Sequence, residues 1–416
     1  MNAAADWLNA SQLPAIAADA QRLADTLQAQ GSLPTVNYCG HRYHFWVALF
    51  ASLLAGSRAL LPPSSERRAA ERILPGQEKQ LLDDDLVAGY CRYSESADAS
   101  TLLAAAREAE SFVTVLTSGS TGSPKPINKS WQQLADRAAS YLGNVFAAGS
   151  HIVAMVPQQH MYGLETSLFT SLLEGFQVHG HSAAYPASAA AALEASSQPA
   201  MLVTTPSLLQ LLLKANVELP NLAGIVSATS PLGSGLKQQV EQRYGCSVTE
   251  IYGFSEAGSV AWRRADPVWQ LLPGLTAKPL ATPDGEHVGI YSEEGLLATV
   301  EDTVELIDEH RLLLKGRPAD LVKIGGKRAS LAGLTQQLMQ LPSVQDGHIS
   351  YCSESEQLVA FVVTGSRPRE VRRAMADVCD LSFVPRKIHA VEAIPRSASG
   401  KVTAEGLAEL QAQVEK

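Results

Sequence analysis

The sequence predicts an α/β protein built on a parallel sheet, with a second, smaller domain at its C-terminal end. Three observations predict it. Short apolar, β-branched runs alternate with longer helical patterns, the signature of strand–helix–strand units. A hydrophobic share of 46% over 416 residues is enough for sizeable cores and for two or three ordinary domains. A separate set of strand and helix signals follows Lys315-Gly316-Arg317-Pro318, enough for a small α/β domain of its own.

In chain order, residues 12–30 read as an amphipathic helix ending at Gly31, and Thr35-Val36-Asn37-Tyr38 as a strand. His44 to Leu54 reads as a helix stopped by Gly56, and Ala59-Leu60-Leu61 as a strand end before Pro62 and Pro63. Strand signals resume at Val113–Leu116, Ile152–Val156, Met201–Thr204 and Gly224–Ser227, with helical stretches such as Glu165–Leu173 and Ser207–Lys214 between them. The alanine-rich Ala183–Ala195 reads as a helical connection. Past the alternating Thr303–Leu314 segment come strand signals at Leu321–Ile324 and Leu358–Val363 and helical ones at Leu331–Leu341 and Arg367–Val378.

A formal net charge of -9 and a pI near 5.6 argue against a broad nucleic-acid or acidic-membrane footprint and point to a small-molecule substrate. Five scattered cysteines, with no Cys-x-x-Cys pair and no histidine cluster at ligand spacing, read as reduced, packed thiols. The start, Met1 to Trp7, lacks the basic head and apolar core of a signal peptide. Phe45–Ala55, the strongest apolar run, is shorter than the ~20 residues of a membrane span. No membrane partner and a cytoplasmic location are expected.

The chemistry centres on Thr117-Ser118-Gly119-Ser120-Thr121-Gly122-Ser123-Pro124-Lys125, directly after the strand signal at Val113–Leu116. Glycines let backbone approach a ligand, hydroxyls and N–H groups donate to anionic oxygens, and the lysine adds a mobile positive charge, a combination suited to polyphosphate. Taken alone, such a run is more often an ordinary flexible loop than a ligand cradle. The phosphoryl-transfer P-loop fails as a template, because Pro124 and Pro126 flank the lysine where Gly and Ser or Thr are required. Further on, Glu250-Ile251-Tyr252-Gly253-Phe254-Ser255-Glu256-Ala257-Gly258 offers an aromatic face for a purine, Gly253 for turn geometry, Ser255 as a donor to an α-phosphate and Glu256 as a hard oxygen for Mg²⁺. In isolation Tyr252 would be a core residue and Glu256 a solvated one.

These segments, in this order, resemble the AMP-forming adenylating superfamily of acyl-CoA synthetases, peptide-synthetase adenylation domains and luciferases. Thr117 to Lys125 resembles its phosphate loop. Pro157-Gln158-Gln159-His160-Met161-Tyr162-Gly163-Leu164 resembles its acyl-pocket motif, which with Ser227 would line the acid, His160 lying near the carboxylate. Ile225 to Leu232 resembles the loop passing the adenine, so Thr229 and Ser230 join Tyr252 and Gly253 there, although Ala228-Thr229 replaces the usual Gly-Gly pair. Asp302 and Arg317 resemble the ribose-binding pair, and a carboxylate accepts both ribose hydroxyls. Leu321 to Arg328 resembles the core strand and glycine turn of the small domain, making Gly325, Gly326 and Lys327 candidates for a thiol channel. Lys327 and Arg328 read equally as a solvated basic turn. Ile394 to Val402 resembles the catalytic-lysine motif, with Lys401 in that role.

The resemblance spans Asn37 to Lys401. It implies a large, multi-sheet N-terminal domain, 1–316, binding ATP and a carboxylate, and a small mobile α+β domain, 317–416, carrying Lys401. It further implies ATP and Mg²⁺ as cofactors, Glu256 as metal ligand, and a small-molecule carboxylic acid transferred to coenzyme A or an acyl carrier protein, as in loading of an aromatic starter unit. Three departures mark a divergent branch: the adenine-loop change, Pro318-Ala319 at the hinge, and Ala329-Ser330-Leu331 where the family's small domain has a glutamate. Because proline fixes its own φ and restricts its predecessor, a stiffer or displaced hinge is expected. The other reading these departures leave open is a nucleotide-binding regulatory or scaffold protein with the same fold and no turnover.

Overall fold

The computed structural model describes the chain except for residues 1–5, 64–72, 118–124, 265–266, 283–284, 317–320, 325–326, 353–356, 397–401, 403 and 415–416. The chain falls into two compact units, one of residues 1–230, 240–264 and 272–274, the other of 231–239, 265–271 and 275–416.

The first unit holds two sheets. One runs Gln80–Leu82, Thr35–Asn37, Ala59–Leu61, Val113–Thr117, Lys125–Lys129, its first four strands parallel and the last antiparallel. In the other the strands Trp7–Leu8, Gln177–His179, His151–Ala154, Ala200–Thr204, Leu222–Ser227, Val248–Phe254 and Gly258–Arg263 lie in this order, five parallel strands flanked by an antiparallel one on each side. Parallel strands covered on both faces read as unbroken apolar runs, which is why Ile152, Val153, Leu202, Val203, Ile225 and Val226 are all fully buried.

The helix Arg42–Leu54 and the segment Met161–Leu172 fill this unit's core. Trp46, Phe50, Phe112, Trp131 and Phe169 form an aromatic cluster there, with ring centroids 5.0 Å apart for Trp46 and Phe169 and 5.1 Å for Phe112 and Trp131. His41 Nδ1 caps the first helix by accepting from the Tyr43 N–H at 3.1 Å. The expected helix at Glu165–Leu173 begins earlier and is not uniform: a helical turn at Met161–Gly163 passes into a π-turn at Leu164–Leu168 and a 3₁₀ turn at Phe169–Leu172. The alanine-rich connection is helical over Pro186–Glu194.

The second unit contains an antiparallel sheet of Thr276–Thr282, Gly285–Ser292 and Gly295–Val300, and the hairpin Thr303–Asp308 with Arg311–Gly316. A second hairpin, Leu321–Ile324 with Lys327–Ser330, leads into the helix Leu331–Met339, capped by Ser330. That helix and Pro368–Val378 pack on the sheet Val344–Cys352, Gln357–Thr364, Lys387–Ala390 around Leu338, Ile349, Leu358, Val371 and Met375. Among the described residues no helix is long and apolar enough to cross a membrane. All five cysteines are free thiols.

Candidate active site

Thr117 and Lys125 lie opposite each other on antiparallel strands, so the two ends of the hydroxyl- and glycine-rich segment are held side by side. Ser118, Gly119, Ser120, Thr121 and Gly122 lie outside the described residues. Side chains four positions apart on a strand share a face, and Lys125 and Lys129 reach the same residue from it. Lys125 Nζ donates to Glu256 Oε1 at 3.2 Å, and Lys129 Nζ donates to the Glu256 carbonyl at 2.5 Å. The environments differ. The Lys125 and Glu256 side chains are 66% and 44% exposed, whereas Lys129 is only 4% exposed. Burial lowers the Lys129 pKa, against the pull of the Glu165 and Glu256 carboxylates.

Glu256 stands on the turn between the antiparallel strands Val248–Phe254 and Gly258–Arg263. The sequence suggests turn geometry at Gly253, but the structure places this residue inside a strand, where the register shifts between the Tyr252–Ala261 and Gly253–Ser259 pairs. A Cβ on Gly253 would lie 2.4 Å from the Gly258 carbonyl oxygen, so the missing side chain serves close approach of two strands. Tyr252 is half-buried with its ring 6.2 Å from that of Phe254, and half-buried Ser255 follows. Deeper in the same hairpin, Arg263 grips Glu250 through two bonds of 3.0 and 2.8 Å.

The His160 segment closes against the end of a parallel strand. Gln158 Nε2 donates to the Cys39 and Gly40 carbonyls at 2.9 and 3.0 Å, and Tyr162 donates its hydroxyl to the Val226 carbonyl at 2.9 Å. Burial pushes the Tyr162 phenol well above its usual range. A Cβ on Gly163 would meet the Pro157 carbonyl oxygen at 2.1 Å, so this glycine lets the helical turn pack on the preceding loop. Ser227, beside Val226, is 1% exposed, and its Oγ has no hydrogen-bond partner among the described residues. Tyr162 thus meets the carboxyl end of the parallel strand Leu222–Ser227 beside Ser227, with His160 and Gly163 flanking it in the chain, at the end of a parallel sheet, where open α/β sheets bind ligands.

Thr229 has φ +80°, and Ser230 beside it is exposed. The backbone therefore holds a glycine-type conformation although the usual glycines are absent, and a β-branched residue there carries strain. In the second unit, Asp302 is half-buried between the strands Gly295–Val300 and Thr303–Asp308. Lys327 Nζ donates to Asp380 Oδ2 at 2.5 Å, which holds the Asp380 carboxyl below the usual carboxylate range. Arg317, Pro318, Ala319, Gly325, Gly326 and Lys401 lie outside the described residues.

Among the described residues no group of three or more His, Cys, Asp or Glu side chains could hold a metal. One exposed carboxylate, Glu256, fits Mg²⁺ instead, which keeps several waters and binds through one or two carboxylates plus substrate phosphates. Sequence reasoning misses the groups beneath Glu256, namely Lys129, Tyr141, Glu165 and Ser259. The one available signal is a lone acid, Glu165, inside the otherwise uncharged run Met161–Leu173.

The model of the AMP-binding enzyme family matches residues 67–290, over half of the chain. A 4-coumarate–CoA ligase of Rhodobacter capsulatus is 30% identical over 312 residues, 72% of this chain and 77% of that protein. The fold is that of an anthranilate CoA ligase, AuaEII, solved with anthranoyl-AMP, with a TM-score of 0.72 at 17% identity over 96% of this chain and 92% of that one. It is also that of McyG A-PCP complexed with phenylalanyl-adenylate, with a TM-score of 0.73 at 16% identity over 96% and 89%. An exposed lysine–glutamate pair at the mouth of two hairpins, on this fold and with this family match, leads to one assignment: the chain belongs to the AMP-binding enzyme family.

Proposed function

We propose that the chain is an AMP-forming acid–thiol ligase that activates an aryl or acyl carboxylate with ATP and passes it to coenzyme A or a carrier protein. The observation that carries this reading is the Lys125–Glu256 contact, which joins a phosphate-type hairpin to a solvent-exposed carboxylate. The aryl preference follows the 4-coumarate and anthranilate relatives.

A carboxylate cannot be attacked directly by a thiol, because oxide would have to leave. In the first step a carboxylate oxygen attacks the α-phosphorus of ATP, the bond to the β-phosphate oxygen breaks, and acyl-AMP and pyrophosphate form. Two anions meet in that step, so positive charge and oriented donors around the phosphates dominate catalysis. Lys125 and Ser255 supply them from the first unit, and Lys401 is assigned the same work from the tail. Mg²⁺ held through Glu256 neutralises phosphate charge when bound. Tyr252 stacks on the adenine beside Thr229 and Ser230, Asp302 and Arg317 take the ribose, and His160, Tyr162, Gly163 and Ser227 line the acid.

In the second step a thiolate sulfur attacks the acyl carbon and AMP leaves, the thiol proton passing to solvent. Residues 317–416 are proposed to rotate about Pro318 and Ala319 between the steps, exchanging Lys401 for Gly325, Gly326 and Lys327 at the site. The test is exchange of labelled pyrophosphate into ATP, driven by aryl, short-chain and long-chain acids in turn, followed by thioester formation with each acceptor. An aryl acid should drive exchange, and Lys401→Ala should abolish it. ATP binding without exchange for any acid would favour the regulatory or scaffold reading.

A further inference from the structure

Beneath the Glu256 turn lies a buried polar network that the mechanism above does not use. Glu165 is 1% exposed and sits in the π-turn Leu164–Leu168, a rare helical form that recurs at functional sites. Its Oε2 accepts from the Ser259 N–H at 3.1 Å and from Ser259 Oγ at 2.6 Å, and Tyr141 Oη lies 2.9 Å from the same oxygen and 2.7 Å from Ser259 Oγ. Its other oxygen, Oε1, occupies the space where a side chain on Gly258 would be: a Cβ there would lie 2.2 Å away. Gly258 has φ +78°, so backbone conformation and the carboxylate both demand glycine at this position. From the strand Lys125–Lys129 of the other sheet, Lys129 holds the Glu256 carbonyl.

Three polar groups, Lys129, Tyr141 and Glu165, therefore hold the short span from Glu256 to Ser259 from below, and Glu165 belongs to the helical segment that also presents His160 and Tyr162. Burying a carboxylate is costly unless its hydrogen bonds are made, and here they are made to the backbone and side chain of the turn that carries Glu256. We propose that Glu165 is a positioning residue: it fixes Gly258 and Ser259, the start of the strand that follows the Glu256 turn, so that the Glu256 carboxylate faces the Mg²⁺–nucleotide complex, and it ties that turn to the acid-binding segment. The inference rests on the reading of Glu256 as the metal ligand.

The test compares Glu165→Gln, Ser259→Ala and Glu256→Gln in the full chain. Groups that orient a metal ligand typically change metal affinity by about 10- to 100-fold when altered. Calorimetry of ATP binding with and without MgCl₂ should show that Glu165→Gln loses about 10-fold of the Mg²⁺-dependent gain in affinity while binding of metal-free ATP is unchanged. Backbone hydrogen exchange at residues 255–259 should quicken in the same variant, and Ser259→Ala should move both readouts less. If Glu256→Gln shifts the Mg²⁺ dependence and Glu165→Gln does not, the positioning role is overturned. An equal loss with and without MgCl₂ also overturns it, since that marks general damage. If Glu256→Gln leaves the Mg²⁺ dependence intact, the metal-ligand reading fails, and hydrogen exchange alone then decides whether Glu165 fixes the turn.

Discussion

Two acid–base pairs share one hairpin and do opposite things. Glu250 and Arg263 face each other across the antiparallel strands through two short bonds, with the glutamate side chain only 6% exposed. Glu256, at the end of the same strand pair, meets Lys125 through a single 3.2 Å contact between two solvent-exposed side chains. A planar guanidinium in a two-point grip is held in place by its geometry. A lone ammonium on an exposed carboxylate contributes only about 0–1 kcal/mol and is readily exchanged for another ligand. The first pair builds the hairpin, and the second is weak enough to give way to phosphate and metal in the proposed reaction.

Breaking each pair separates these roles. Glu256→Ala should lower carboxylate-dependent pyrophosphate exchange by about 10³-fold, the scale of removing one electrostatic contact to a transition state. Its thermal midpoint should stay close to that of the parent chain. Glu250→Ala should do the reverse at the level of folding: denaturant titration should show a loss of about 3 kcal/mol, because the two-point grip between a buried carboxylate and a half-buried guanidinium is broken. If both substitutions moved stability alike, the distinction between a structural and a ligand-ready pair would collapse. The smallest effect concerns Thr229, whose φ of +80° suits glycine. Thr229→Gly relieves strain while adding freedom to the unfolded chain, so stability should change by no more than about 1 kcal/mol. A loss well beyond that would mean the threonine side chain makes a contact the fold depends on.

How much of this was legible in the chain differs by region. The parallel strands of the first unit were, because strands such as His151–Ala154 and Leu222–Ser227 are apolar runs separated by helices. The sheet Thr276–Val300 was not: strands such as Thr276–Thr282 are largely half-exposed, so no apolar run marks them. The break of the 161–172 segment into α, π and 3₁₀ turns was also hidden, since the apolar pattern fits any of the three. In the site, Lys125, Ser255 and Glu256 stood in recognisable local motifs. Lys129, Tyr141 and Glu165 did not, because their meaning arises only when three distant segments come together under one turn. The change at Ala228-Thr229 was visible as a departure, but only the backbone shows that the conformation survived the loss of glycine.

The central claim is that the open Lys125–Glu256 pair serves ATP-dependent activation of a carboxylate. Its most direct test is exchange of labelled pyrophosphate into ATP with and without an aryl carboxylate. Exchange is expected only when the acid is present, and is lost in Glu256→Ala. ATP bound tightly, with no exchange across aryl, short-chain and long-chain acids, would contradict it.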